Sequence, residues 1–324
     1  MRIDVKRVDW ALKTPLKIAN YSQSVIETVQ VSLNDAGATG RGEGIPVFYR
    51  GETADTMVEQ LSAIAGDIRN GAGRAELQSL MPAGGARNAV DCAFWDLEAK
   101  RTGRRAWSLA GVNAVKPLKT VFTLSVDDPQ VMAARAKEAT YDVFKLKLDG
   151  GADLDRVAAV RAARHDAVIV VDANQSWTFE QLCEWAPRFY ELGVELIEQP
   201  LPAGGDGALA DFESPVPLCA DESCQTAASL GDIRDRYQVV NIKLDKAGGL
   251  TEGLRLVREA KTMNLRLMVG CMAGSSLSMA PAFIIGQFCE FVDLDGPLLA
   301  ETDMENAIRY DGNMVGQPEA ALWG

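Results

Sequence analysis

The sequence predicts an α/β protein: a (β/α) barrel preceded by an N-terminal α+β domain. Three observations lead there. From about residue 119 onward, short β-branched or aliphatic runs recur, each ending in a polar residue and followed by helical periodicity. The closing residues from the second run onward, Lys147, Asp172, Glu198, Asp221, Lys243, Cys271 and Asp293, fall 22 to 28 residues apart. Such a step holds one strand, one helix and two short loops, and eight units close a parallel barrel. The first 118 residues lack this repeat. An open doubly wound sheet is the alternative.

In chain order, alternation predicts strands at 3–10 and 25–34, with a turn at NDAGATG. Helical patterns follow at 53–70 and 86–101. In the second, Ala89, Val90, Ala93, Phe94 and Leu97 form an apolar face suited to docking on a barrel. The barrel runs are VFTLSV (121–126), VFKLKL (143–148), VIVVDAN (168–174), VELIEQP (194–200), VPLCADES (216–223), VVNIKLD (239–245), RLMVGC (266–271) and FVDLDG (291–296). Between them, Leu154, Val157, Ala158 and Arg161 follow helical spacing after a predicted N-cap at Asp153, and 251–263 is amphipathic. Pro187 predicts a kink or early stop. The expected domains are 1–118, a capping domain; 119–300, the barrel; and 301–324, a tail returning to the cap.

Composition narrows the function. Of 324 residues, 47% are hydrophobic, enough for a large core, and 45 acidic against 33 basic residues give a net charge of −12. That charge opposes nucleic acid and anionic membranes. The segment Leu265 to Phe288 is interrupted by Arg266 and by Ser275, Ser276 and Ser278, so no membrane span is expected. Six cysteines without a CxxC, and an N-terminus without an apolar signal segment, suit a cytoplasmic protein with reduced thiols. The single histidine, His165, sits in a polar stretch and reads as a solvated turn residue. Acid–base chemistry must therefore come from Lys, Asp, Glu, Tyr or Cys.

Barrel closure brings the strand ends to one face. Asp172, Glu198 and Asp221 end three successive runs, and three carboxylates a few ångströms apart call for a cation. All-oxygen ligation favours Mg²⁺, with Mn²⁺ as the alternative. Lys147 and Lys243 flank the trio on opposite sides, with Lys145 and Lys246 adding positive charge. Near a dication and other ammoniums a lysine should titrate below its reference of ~10.4. Two bases facing one carbon, beside a metal that stabilises negative charge, suit racemisation or epimerisation α to a carboxylate. Asp293 and Asp295, two apart on one side of a strand, would suit an ammonium group or else cap a loop.

With these residues in place, the sequence resembles the enolase superfamily, in particular its Lys/Lys, muconate-lactonizing-enzyme-like subgroup. FKLKLD (144–149), VDANQSW (171–177), IEQPLP (197–202), CADES (219–223) and NIKLDKAGG (241–249) carry the resemblance in order, and ARNAVDCAFWDLEAKRTG (86–103) is similar to its interdomain helix. GCMAGSS (270–276) and FVDLDGP (291–297) resemble the dipeptide epimerases, typified by Ala-Glu epimerases acting on cell-wall peptide fragments. The resemblance implies a modified (β/α)7β barrel, with Asp172, Glu198 and Asp221 as Mg²⁺ ligands and Lys147 and Lys243 as the acid/base pair. It implies that Asp293 and Asp295 bind a dipeptide's α-ammonium while the metal holds the carboxylate of the epimerised second residue. Thr123, Lys145, Cys271 and Met272 would contact substrate; Asn174, Gln199 and Lys246 would support the site from behind. A homo-oligomer is compatible with it.

One departure concerns specificity. Ala-Glu epimerases place a cation, commonly Arg, in the first-domain loop that meets the substrate's glutamate, whereas 14–27 here contains only Lys17, with Arg41 and Arg50 in another loop. Tyr21 and Phe48 would line a more apolar pocket or pack in the core. Competing readings are a muconate cycloisomerase, an o-succinylbenzoate synthase, an N-acylamino acid racemase, and a catalytically silent metal-binding barrel. The first three act on substrates without a free ammonium, which the aspartate pair disfavours.

Overall fold

The computed structural model describes every residue except Asn20; most of the segment 14–27, expected as a loop, belongs to two long strands. The N-terminal region is an antiparallel sheet of β1 (Arg2–Ile18), β2 (Tyr21–Asp35) and β3 (Ala38–Gly44), in the order β1-β2-β3, with helices Ala54–Arg69, Arg74–Leu80 and Gly85–Thr102. Strand β3 was absent from the sequence reading. Its signal is the alternation of Gly40, Gly42 and Gly44, which brings the strand against the backbone of helix Gly85–Thr102: a Cβ at Gly42 would stand 2.1 Å from the Ala89 carbonyl oxygen. Only glycine permits that approach.

The helix itself corrects an expectation. Its apolar face, Ala89, Val90, Ala93, Phe94 and Leu97, packs with Val29, Leu33, Met57 and Leu61 in the core of the N-terminal region, not on the barrel. The barrel-facing side is largely polar. Arg87 Nη2 donates to the Ala247 carbonyl at 2.7 Å, Thr251 N–H donates to Asp91 at 2.9 Å, and Trp95 Nε1 donates to Thr251 Oγ1 at 3.0 Å. It meets the ends of helices there, whose free backbone groups need partners that an apolar face cannot supply.

After β4 (Leu118–Lys119) come eight parallel strands: β5 (Phe122–Leu124), β6 (Val143–Lys147), β7 (Val168–Asp172), β8 (Val194–Glu198), β9 (Leu218–Ala220), β10 (Val239–Lys243), β11 (Arg266–Gly270) and β12 (Phe291–Val292). Each lies within one predicted run. The curled sheet runs in unbroken sequence order, and Val121 N–H donates to the Val292 carbonyl at 2.9 Å, joining its two ends. This is a modified TIM barrel behind an antiparallel cap. Val121, Val170, Leu196, Cys219, Val239 and Met268 form one buried apolar cluster; Val170, Leu196 and Cys219 stand two residues before Asp172, Glu198 and Asp221, and Val239 four before Lys243, on the same strand faces.

Three local expectations fail. The β8–β9 connection carries only the 3₁₀ turn Gly207–Asp211, because Pro200, Pro202, Gly204, Gly205 and Gly207 disfavour a longer helix. Of the kink or early stop expected at Pro187, the early stop does not occur: helix Phe179–Glu191 runs through it. The carbonyl that proline leaves free, four residues back, belongs to exposed Cys183 and can face water. Asp153 opens its helix as a fully buried acceptor for Gly150 N–H at 2.9 Å and Trp177 Nε1 at 2.8 Å, with Ala152 at the cap position. His165 is exposed in a turn, as expected. No described helix is long and apolar enough to cross a membrane.

The last residues form β13 (Tyr310–Asp311) and β14 (Met314–Val315), which pairs with β4. They finish against helix Gly85–Thr102, where Trp323 Nε1 donates to the Cys92 carbonyl at 3.1 Å and Gly324 N–H to Asp96 at 2.7 Å. Two buried carboxylates bolt the N-terminal region to the barrel mouth. Glu43 of β3 accepts from both Ser275 N–H and Ser275 Oγ at 2.9 Å, and Asp245 accepts from Ile45 N–H at 2.9 Å and Asn88 Nδ2 at 2.7 Å.

Candidate active site

Strand register sets the site. Lys147 pairs with Asp172 and Asp172 with Glu198 in the β6–β7–β8 ladders, while Asp221, Cys271 and Asp293 follow directly on β9, β11 and β12. Because alternate residues face the same way, Lys145 and Lys147 both enter the barrel, as do Asn241 and Lys243. All of these charged groups are buried.

The lysines thread the carboxylates. Lys147 Nζ donates to Asp172 Oδ2 at 2.6 Å, Lys243 Nζ to Asp221 Oδ2 at 2.7 Å and Lys246 Nζ to Asp221 Oδ1 at 2.6 Å. Lys145, wholly buried, lies 3.1 Å from Asp172, 2.8 Å from Glu198 and 2.7 Å from Asp293. It is absent from the lining of the cavity and sits among three acids as their counter-ion. Among the described residues, Cys271, Asp293 and Asp295 form the one trio of such donors lying within 4.8 Å of one another. Asp172 and Glu198 share the Lys145 ammonium, while Asp221 is held by Lys243 and Lys246.

These contacts set the protonation states. Burial works against ionisation of Asp172, yet Lys147 and Lys145 outweigh it and hold the acid at about 2. Asp221 is likewise driven far below the usual range by Lys243 and Lys246, against burial. Glu198 moves the other way, to about 7, from burial and the Asp172 charge. Glu222, buried beside Asp221, is pushed up to about 8. Lys243 is raised: burial lowers it, but the Asp221 carboxylate prevails. The protein's own acids thus favour the ammonium, and a bound dication would have to supply the opposing field.

The donor set fits such an ion. It is all hard oxygen, Glu222 Oε2 is buried without a partner, and Glu198 Oε2 has the Lys145 ion pair but no hydrogen bond. Two amides that steady the trio differ in how legible they were. Gln199, at φ +36, accepts Asp221 N–H at 2.9 Å and Ser223 N–H at 3.1 Å, and donates to Tyr237 Oη at 3.0 Å. Asn241, missed in the sequence, donates to Glu198 Oε1 at 2.8 Å. Its signal was its place two residues before Lys243, on the same strand face. Gly270 makes room for it, since a Cβ there would lie 2.6 Å from Asn241 Oδ1.

The cavity above joins both regions. From the barrel it is lined by Thr123, Lys147, Asn174, Asp221, Glu222, Lys243, Cys271, Met272, Ala273, Asp293, Asp295 and Leu299; Leu16, Ile18, Tyr21, Gln23, Phe48 and Tyr49 come from the N-terminal region. Asn174, at φ +44, has a buried Oδ1 without a partner. Asp293 and Asp295 lie beyond the short β12 but reach the same wall. Asp295 accepts Thr123 N–H at 2.6 Å and is pushed up to about 7 by burial and by Asp293. Cys271, half-buried beside both, has its thiol pushed up as well by burial of the group and by the two acids.

Residues 2–111 match the mandelate racemase/muconate lactonizing enzyme N-terminal domain, and residues 130–320 match the family described as enolase C-terminal domain-like. This chain belongs to the enolase superfamily. Within the superfamily, it is 40% identical to the L-Ala-D/L-Glu epimerase of Escherichia coli (strain K12) across 93% of this chain and 95% of that one. A crystal structure from Agrobacterium tumefaciens, an enolase family member with homology to dipeptide epimerases, superposes with a TM-score of 0.97 at 41% identity. It covers 99% of both chains and holds sodium and L-Ala-L-Glu. The dipeptide epimerase of Enterococcus faecalis, complexed with Mg and L-Leu-L-Tyr, aligns with a TM-score of 0.92 at 26% identity over 98% of this chain and 97% of that one.

Proposed function

We propose that this protein is a Mg²⁺-dependent isomerase that epimerises a dipeptide at the α-carbon of its second residue. The observation that carries the reading is one cavity lined by both Lys147 and Lys243 and by Asp293 and Asp295, with the lysines bonded to carboxylates of a hard-oxygen trio. Its similarity to dipeptide epimerases over nearly the whole chain supports the same reading.

In this scheme Asp172, Glu198 and Asp221 would hold the metal, which would supply positive charge against the substrate carboxylate. Lys147 and Lys243 face the α-carbon from opposite sides. One, as the free amine, takes the α-proton; the other, as the ammonium, returns a proton to the opposite face. Roles reverse for the other epimer, so no net proton is gained. Asp293 and Asp295 receive the α-ammonium, with Thr123 and the Cys271–Met272 backbone beside it. Asn174, Gln199 and Lys246 orient the acids. Residues 1–118 cap the barrel of 119–300, and 301–324 tie the two together. We extend the proposal to a cytoplasmic location, supported by six unpaired cysteines.

The test is proton NMR in D₂O with Mg²⁺, using L-Ala-L-Xaa dipeptides and N-acetyl-L-glutamate. Exchange confined to the second residue's Cα, with the diastereomer appearing, is expected for dipeptides. Exchange of the N-acetyl compound alone would overturn the assignment of Asp293 and Asp295, and silence throughout would overturn the activity.

A further inference from the structure

The N-terminal wall of the cavity differs in chemistry from its floor. Among the described residues, Tyr21 and Phe48 are two of the seven large hydrophobic side chains that stay exposed, at 40% and 39%, and they stack on each other with centroids 4.5 Å apart and planes 13° from parallel. Tyr49 meets the Phe48 ring edge-on at 5.5 Å. Leu16 and Ile18 continue this surface into the cavity. Exposed aromatic faces gathered on one concave wall are a site awaiting an apolar ligand group.

Charge points the same way. Among the described residues, no Lys or Arg from residues 1–118 lines the cavity. Lys17 is exposed and off its surface, Arg41 Nη2 donates to the Ala321 carbonyl at 2.7 Å, and Arg50 donates to Gln225 at 3.4 Å along a neighbouring cavity. The two cations on the cavity surface, Lys147 and Lys243, are bonded to carboxylates. The acidic side chains there are Asp221, Glu222, Asp293 and Asp295. A substrate side-chain carboxylate reaching the N-terminal wall would leave water for a surface with no compensating charge.

We infer that the second residue of the dipeptide carries an apolar, preferably aromatic, side chain seated on the Tyr21–Phe48 stack. The inference rests on the dipeptide reading above and names the substrate class of that site. Gln23, whose Oε1 accepts from Tyr21 Oη at 3.2 Å, holds the tyrosine ring from below.

The experiment compares kcat/KM for L-Ala-L-Phe, L-Ala-L-Leu, L-Ala-L-Ala and L-Ala-L-Glu in wild type and in Phe48→Ala. Phe48 is half exposed, so the variant should fold. The expected order is Phe, Leu, Ala, Glu, with Phe at least about tenfold above Glu, the ratio that ~1.4 kcal/mol of differential binding supplies. Phe48→Ala should narrow the Phe-to-Ala ratio severalfold, through KM. A preference for L-Ala-L-Glu, or an unchanged ratio in the variant, would overturn the inference while leaving the epimerase reading intact. No exchange with any dipeptide would overturn both.

Discussion

The floor and the wall of this cavity are built on opposite plans. On the floor the charged groups are buried and each lysine meets a carboxylate: Lys145 alone contacts three acids, and Asp221 is held by both Lys243 and Lys246. On the N-terminal wall the aromatic rings are left partly in solvent, with each other as company. The floor is pre-organised for moving a proton, which tolerates little displacement. The wall is suited to choosing a side chain, which needs surface. Selectivity can therefore change along the wall without disturbing the chemistry below, provided the two stay in register. Glu43 and Asp245, reaching in opposite directions across the boundary, hold that register.

The sharpest way to break this division is at the floor. Lys147→Ala or Lys243→Ala should lower epimerisation by about 10²–10⁴-fold, the usual worth of a positioned acid or base. One-sided α-deuterium exchange should survive for one epimer in each variant, read by NMR from both diastereomers. Full epimerisation after either change would end the two-lysine scheme.

A smaller effect is expected from the residue that steadies the trio. Asn241→Ala removes the donor to Glu198 Oε1 and should weaken Mg²⁺ binding by about 10–100-fold. Titration calorimetry measures it without turnover. The order of preference among dipeptides should not change, because the variant leaves the wall alone; a changed order would show that floor and wall are not separable.

The smallest effect tests the join. Burial raises Asp245 to about 7, above its ordinary value of 3.8. Between those values the folded protein binds more protons than the unfolded chain, so this group's stabilisation is full below pH ~4 and declines as pH rises through 7. In Asp245→Asn the amide oxygen can still accept from Ile45 and Asn88, but nothing titrates. The variant's Tm should therefore fall less between pH 5 and pH 8 than the wild type's, by a few degrees at most. Parallel Tm curves would refute the shifted acid.

How much could be read from the chain depends on the kind of pattern. Period-two alternation and the recurring strand-end positions placed all eight barrel strands and brought Lys147, Asp172, Glu198, Asp221 and Lys243 to one face, because backbone geometry repeats locally. Strand β3 escaped, since its glycines look like a turn until a helix is laid against them. The apolar stripe on helix Gly85–Thr102 was recognised, but its partner was not: periodicity says which side is buried and not what covers it.

By itself, then, the sequence determined the barrel, its order of charged strand ends and the donor chemistry, all consequences of local spacing and residue type. The tertiary structure decided what spacing cannot encode. It put Lys145 among three acids as their counter-ion and drove Lys243 toward the ammonium. It brought Tyr21 and Phe48, 27 positions apart, face to face on the wall of the cavity. Those outcomes depend on which groups become neighbours once water is excluded, and the strength of a charge or an exposed ring is fixed only by those neighbours.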